Sequence, residues 1–282
     1  MKSIDFHVHI TPPDIIADWQ KYAEKEEYFS LLSRSKHNKF ATAEDLIAAL
    51  EKDGTVDRAV VFGFAFRDMG LCRYVNDYVI EKTREYPEKL TGFMVTPVRG
   101  DESAKEIERC FNLGLAGVGE LFPSGQGFDL EDKAQTRPLA EACREFSLPL
   151  LLHANEPVGH LYPGKTDVSL RQMETFVSEN GELKIILAHW GGGLLFYETM
   201  GEIKEKFRNV YYDTAATPFL YDSRIYRAAK ALGLCGKILF GSDFPLLAPS
   251  RYLPALEESG LDDEEKNLIL MGNAERLLGR KA

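Results

Sequence analysis

The chain is poor in cysteine: four thiols in 282 residues, at Cys72, Cys110, Cys143 and Cys235, with no CxxC pair among them. That spacing argues against a disulfide scaffold or a cysteine-built zinc cluster and predicts buried free thiols. Long apolar runs are missing, and no apolar leader precedes Ile4, so no membrane span and a cytoplasmic location are expected. Basic charge is in deficit, with 34 Lys plus Arg against 44 Asp plus Glu and a formal net charge of −10. An acidic surface repels phosphate backbones, so nucleic acid is not an expected partner. No Gly/Ser linker, low-complexity tract or compositional break interrupts residues 1–282, which are expected to form a single domain.

Eight short, β-rich apolar runs recur, at 4–10, 56–63, 90–96, 115–121, 148–153, 183–189, 210–213 and 237–243. Stretches of helical periodicity lie between them, such as AEDLIAALEK at 43–52, where Leu46, Ile47, Ala49 and Leu50 share a face. Alternation of this kind over this length predicts a TIM (β/α)8 barrel, with an open doubly wound α/β sheet as the alternative. The first interval is overlong, because residues 11–41 interpose a polar and aromatic segment. An insertion after a barrel strand sits over the C-terminal mouth, so this one is expected to act as a lid. Beyond the eighth run, 251–258 and 263–278 read as closing helices, the second opening on acids that suit the helix dipole.

Six histidines are present, and four fall at or near the C-terminal ends of expected strands: His7, His9, His153 and His189. Side chains alternate along a strand, so Asp5, His7 and His9 are expected on one face and Ile4, Phe6, Val8 and Ile10 on the other. Two further strand ends supply carboxylates, Asp243 in FGSDFP and Glu120 in GVGEL. Each residue alone reads more simply as a hydrogen-bonded structural group, and a lone HxH is a weak signal. Their convergence on one rim weighs more, because imidazoles and carboxylates buried together without a cation leave costly unsatisfied groups. A divalent metal at that rim resolves the cost.

The segments DFHVH at 5–9, LH at 152–153, LAHWGG at 187–192, GSDFP at 241–245 and GNAERLL at 272–278 run from the first strand to the last helix. In these segments the chain resembles the amidohydrolase superfamily of metal-dependent TIM-barrel enzymes, above all the branch that includes aminocarboxymuconate-semialdehyde decarboxylase. Their order is specific to the superfamily and not to one reaction. The resemblance implies that His7, His9, His153 and Asp243 bind a divalent cation, Zn²⁺ ahead of Mn²⁺, Fe²⁺ or Co²⁺, given three nitrogens and one oxygen. It implies catalytic roles for two residues. Asp243 would pass a proton from an attacking water to the leaving group, and His189 would orient or polarise water or substrate. The run around Glu120 is also similar to TatD-like deoxyribonucleases, where a carboxylate here joins two cations. The alternative is that Glu120 hydrogen-bonds a neighbouring ligand. One ion is expected ahead of two.

The loop after the fifth run offers Asn155, His160, Tyr162 and Lys165 to a polar substrate, Arg67 offers a fork for an acid, and Trp190 a pocket wall. Ordinary solvation is an equal reading for Arg67 and Lys165, and interior packing for Trp190. His37 reads as a surface residue. Gly191-Gly192-Gly193 lacks the Lys and Ser/Thr of a P-loop and reads as a tight turn past the site. The leading expectation is hydrolysis of an amide, lactone or ester of a small carboxylated molecule by metal-activated water. The alternatives are decarboxylation, a two-metal phosphoesterase activity that the net charge disfavours, and a non-catalytic ligand-binding barrel stabilised by metal. A homodimer acting on a small molecule is expected.

Overall fold

A computed structural model describes residues 2–36 and 39–279, and His37 lies outside the described residues. Its strands are β1 Ile4–His9, β2 Arg58–Phe62, β3 Leu90–Gly92, β4 Val118–Leu121, β5 Leu150–Leu152, β6 Ile185–Leu187, β7 Val210–Asp213 and β8 Ile238–Leu239. All pairings are parallel, in the sequential orders β1-β2-β3 and β4-β5-β6-β7-β8. Two bridges join these sheets: Met94 pairs with Val118 between β3 and β4, and Val8 pairs with Phe244 past the end of β8. Phe6 N–H donates to the Phe240 carbonyl at 2.7 Å and Asp243 N–H to the His7 carbonyl at 3.0 Å. The ring of strands is therefore shut, and the fold is a TIM barrel.

Seven of the strands fall short of their apolar runs, most of them at the C-terminal end. The residues that build the mouth leave the ladder: His189 and Asp243 take left-handed backbone, with φ of 56° and 62°, which a parallel ladder does not accommodate. β1 departs from strict alternation at a register shift between Asp5 and Val8. The Asp5 carboxylate accepts from Ser242 N–H at 2.9 Å instead of joining the imidazoles, and Phe6 packs edge-on against Phe93 with ring centroids 5.6 Å apart.

The outer layer holds α1 Ala43–Asp53, α2 Met69–Glu85, α3 Asp101–Asn112, α4 Lys133–Glu145, α5 Leu170–Glu179, α6 Gly201–Lys206 and α7 Arg224–Ala231. A final helix α8 covers 263–277, with a π-helical turn Leu268–Gly272 in its middle. Local sequence sets the ends of α1. Asp45 N–H donates to Thr42 Oγ1 at 3.1 Å and Thr42 N–H to the Asp45 carboxylate at 2.9 Å, and Gly54 at φ 66° stops the helix. Leu46 and Leu50 are buried on its inner face. All four cysteines are buried free thiols. Among the described residues no helix is long and apolar enough to cross a membrane.

Among the described residues of the segment 11–41 lie three short helices, Pro13–Ala17, Trp19–Ala23 and Glu27–Ser33. Buried Glu26 fastens this segment, its two carboxylate oxygens accepting the N–H groups of Arg67 and Asp68 at 2.9 Å each. The Tyr28 hydroxyl donates to the Pro163 carbonyl at 3.2 Å. The insertion thereby reaches the loops after both β2 and β5.

Candidate metal centre

Side chains from five strand ends meet at the C-terminal mouth, with Glu120 in the middle. Its Oε2 lies 3.5 Å from His7 Nε2 and 3.6 Å from His9 Nε2, and its Oε1 lies 2.9 Å from His153 Nδ1 and 3.6 Å from His189 Nε2. Asp243 Oδ1 stands 3.6 Å from His7 Nε2 and 3.5 Å from His9 Nε2. Three triads have ligand atoms within 4.8 Å of one another: His7, His189 and Asp243; His7, His9 and Glu120; and Glu120, His153 and His189. Among the described residues no triad holds both His153 and Asp243. The ligand set implied by the family resemblance is thus divided about Glu120.

Hydrogen bonds behind the rings decide which nitrogen faces inward. His7 Nδ1 is 2.9 Å from the Asp213 carboxylate, His189 Nδ1 is 3.0 Å from the Ala215 carbonyl, and His153 Nε2 is 2.7 Å from the Gly164 carbonyl. These partners only accept, so the Nδ1 atoms of His7 and His189 donate, and a neutral ring there turns a lone pair inward from Nε2, while His153 meets an acceptor at each nitrogen. Imidazole lone pairs therefore face carboxylate oxygens across the cluster. His7 Nε2 is buried with no hydrogen-bond partner. Acceptors gathered without donors are costly to bury by themselves, and a mixed nitrogen and oxygen set of this kind fits a divalent cation.

Protons compete for the same lone pairs. Burial pushes the His7 imidazole down, but the Asp213 and Glu120 carboxylates outweigh it and hold the ring well above its ordinary value. Burial likewise opposes protonation of His189, and Glu120 and Asp243 overcome it to lift that ring to about 9. For His153 burial prevails over the pull of Glu120 and the ring sits below its ordinary value. Burial also works against ionising Glu120, yet His7 and His153 draw it well below the carboxylate range. Asp243 falls to about 2 against its burial, through a bond from His9 and the charges of His7 and His189. Both carboxylates are anionic at neutral pH.

Asp213 is absent from the expected site residues, although as the last residue of β7 it holds the same strand-end position that points to Asp243 and Glu120. Besides the His7 ring, it accepts the N–H groups of His189 at 2.9 Å and Ala215 at 3.0 Å. It anchors a left-handed turn: His189, Trp190, Gly191, Gly192 and Gly193 all have φ between 56° and 92°. The expected tight turn at the glycines thus begins two residues earlier. Gly192 cannot be replaced without movement, since a Cβ there would overlap the Asn155 carbonyl oxygen.

A cavity of about 450 Å³ opens above the cluster, walled in part by Tyr28, Phe29, Phe64, Phe122, Tyr162 and Phe219. Phe64 stacks on His9 with ring centroids 5.0 Å apart, and Phe122 meets His153 edge-on at 3.9 Å. Of the expected substrate contacts, His160 and Tyr162 line this cavity. Arg67, Asn155, Lys165 and Trp190 are not among its lining residues. Arg67 Nε donates to the Gly125 carbonyl at 2.7 Å, and Lys165 Nζ folds back onto the Val158 and His160 carbonyls of its own loop. Asn155 is spent on Thr166, and Trp190 is fully buried with its indole N–H donating to Thr217 Oγ1 at 2.8 Å. Loop side chains pair with whichever carbonyl the local turn brings near, and spacing in sequence does not show that. The lysine that lines the cavity is Lys39, from the insertion.

The amidohydrolase family profile matches residues 4–280. A dihydroxybenzoic acid decarboxylase from Polaromonas, solved with bound manganese and the inhibitor 2-nitroresorcinol, is 20% identical. The match covers 99% of this chain and 97% of that one, with a TM-score of 0.76. A 5-carboxyvanillate decarboxylase from Sphingomonas paucimobilis is 16% identical over 99% of both chains, with a TM-score of 0.76. A structure described as a probable 2-pyrone-4,6-dicarboxylic acid hydrolase from Acinetobacter baumannii, with citric acid bound, is also similar. It is 16% identical over 99% of this chain and 100% of that one, with a TM-score of 0.66. At these identities the likeness is one of fold. The profile match over nearly the whole length decides the family, and the chain belongs to the amidohydrolases.

Proposed function

We propose that this amidohydrolase is a metal-dependent hydrolase that cleaves an amide, lactone or ester of a small carboxylated substrate. The observation that carries the reading is the cluster of inward lone pairs and anionic carboxylates at the floor of the cavity. His7, His9, Glu120, His153 and Asp243 would hold a divalent cation, Zn²⁺ ahead of Mn²⁺, Fe²⁺ or Co²⁺. Bound there it supplies Lewis acidity, which polarises a carbonyl and acidifies water. The remaining work falls to the chain. Asp243, anionic and aimed into the cluster, accepts a proton from the attacking water and returns it to the leaving group. His189, its Nδ1 tied to the Ala215 carbonyl, presents Nε2 to orient that water or the substrate carbonyl. His160 and Tyr162 receive the polar end of the substrate, and the insertion acts as the lid with Tyr28, Phe29 and Leu32 on its inner side. One cation is the simpler occupancy. The two oxygens of Glu120, each facing a different pair of imidazoles, support a second.

Decarboxylation of an unsaturated acid is the second reading, favoured by the aromatic cavity walls, which would shed the hydration of a leaving carboxylate. Protein stripped by chelator and reloaded with Zn²⁺ separates the two on a panel of esters, lactones, amides and unsaturated acids. Ring opening or release of alcohol or amine is expected. Carbon dioxide release with neither overturns the hydrolase in favour of the lyase.

A further inference from the structure

His153 is held between two acceptors. Its Nδ1 faces Glu120 Oε1 at 2.9 Å and its Nε2 faces the Gly164 carbonyl at 2.7 Å. A neutral imidazole has one N–H, so it satisfies one of these and turns a lone pair against the other. With a divalent cation in the cluster, His153 would use the Nδ1 lone pair as a ligand and keep its proton on Nε2 for Gly164.

The Gly164 carbonyl belongs to the loop 154–168 between β5 and α5, and that loop has its own fastening. The Asn155 side-chain oxygen accepts from Thr166 N–H at 2.9 Å and from Thr166 Oγ1 at 2.8 Å, and Thr166 Oγ1 in turn accepts Val168 N–H at 3.3 Å. Lys165 N–H closes a turn onto the Tyr162 carbonyl at 2.9 Å, which presents Gly164 to the ring. The Pro163 carbonyl receives the Tyr28 hydroxyl of the insertion. His160, Tyr162, Pro163 and Gly164 line the cavity.

We propose that binding of a divalent cation steadies the loop 154–168 in its place along the cavity, the linkage passing through the two ring nitrogens of His153, with Asn155 and Thr166 as the positioning residues. The inference rests on the cation reading above and adds to it a coupling between the cation and the surface that meets substrate. Coupling of this kind is reciprocal: whatever loosens the loop weakens the cation to the same degree. It also assigns Asn155 a role away from the substrate.

The test is amide hydrogen exchange on the full chain at pH 8, with and without Zn²⁺, beside calorimetric Zn²⁺ titrations of variants. Zn²⁺ is expected to slow exchange at Lys165, Thr166 and Val168 about tenfold or more while leaving the outer helix α2 unchanged. Asn155→Ala is expected to raise the Zn²⁺ Kd about 10-fold or more, the scale for losing a group that orients a metal ligand. Thr166→Val should follow in part if Asn155→Ala does not fold, and Thr166→Ser, which keeps the hydroxyl, should restore the wild-type Kd. A role confined to loop stability would lower Tm and leave Kd alone, which overturns the proposal. Protein that takes up Zn²⁺ with the same loop exchange as before overturns the coupling and leaves the hydrolase standing. Protein that takes up no Zn²⁺ removes both.

Discussion

Asp213 is buried to 0% exposure, yet the orientation of two imidazoles depends on it. Its oxygens take one ring N–H and two backbone N–H groups, and an amide at this position must turn an N–H₂ toward one of those donors. Asp213→Asn is therefore expected to weaken cation binding about 10-fold or more, measured by calorimetric titration, with the fold intact by circular dichroism. Asp243→Asn removes the proton acceptor, and turnover should fall roughly 10²-fold or more in protein reloaded with the cation. Equal turnover would place the acid-base chemistry on another group. Far from the mouth, Glu106 joins α2 to α3 by accepting from Asn76 Nδ2 at 2.9 Å and from Arg109 at 2.8 Å and 2.9 Å. Burial raises this carboxyl, but Arg109, Asn76 and Cys110 bring it below the usual range. A depressed carboxyl contributes stability above its unfolded pKa, about 4.3, and loses it as pH falls through the folded value. Glu106→Gln should thus cost about 1–3 kcal/mol at pH 7 in urea melts, and the gap should narrow below about pH 4. His7, His9, His153, His189 and Asp243 are legible in the sequence because an ionisable residue closing an apolar run is conspicuous. Asp213 closes the run VYYD in the same way, but its partner His7 lies 206 positions away. Which atom of each ring faces the cluster depends on such distant partners and is not written in the spacing.

At the scale of elements, the apolar runs reveal every strand because parallel barrel strands are buried on both faces. Their lengths are less legible, since the residues that end them are those bent out of the ladder for the site. The stretch 187–193 shows the limit. Three glycines announce a turn, but the left-handed conformation already begins at His189 and Trp190, where the His189 N–H is held by Asp213 from the neighbouring strand. Gly192→Ala tests the fit of this turn against the β5 loop. Left-handed φ costs about 1–2 kcal/mol for an L-residue, and the clash with the Asn155 carbonyl adds to it. A loss of about 2 kcal/mol or more is expected in urea melts, with weaker cation binding as His189 and the loop shift together. Wild-type stability in this variant would mean that the turn is looser than its contacts imply. Pocket walls from the insertion, such as Tyr28, Phe29 and Lys39, lie in a region whose periodicity gives no orientation toward the mouth.

The whole molecule is an acidic barrel with one concentrated group of buried acceptors at its mouth. Its net charge of −10 repels polyanions at long range. The cluster is where two carboxylates that stay ionised meet imidazoles whose protons are turned outward, and only a cation or added protons can offset their repulsion. The cation site therefore stands or falls on one titration of chelator-stripped protein with Zn²⁺, run beside His7→Ala. At least one tightly held ion per wild-type chain, a higher Tm on binding and loss of both in the variant are the predicted result. A wild-type chain that takes up no ion, or a variant that binds as tightly as wild type, would contradict it.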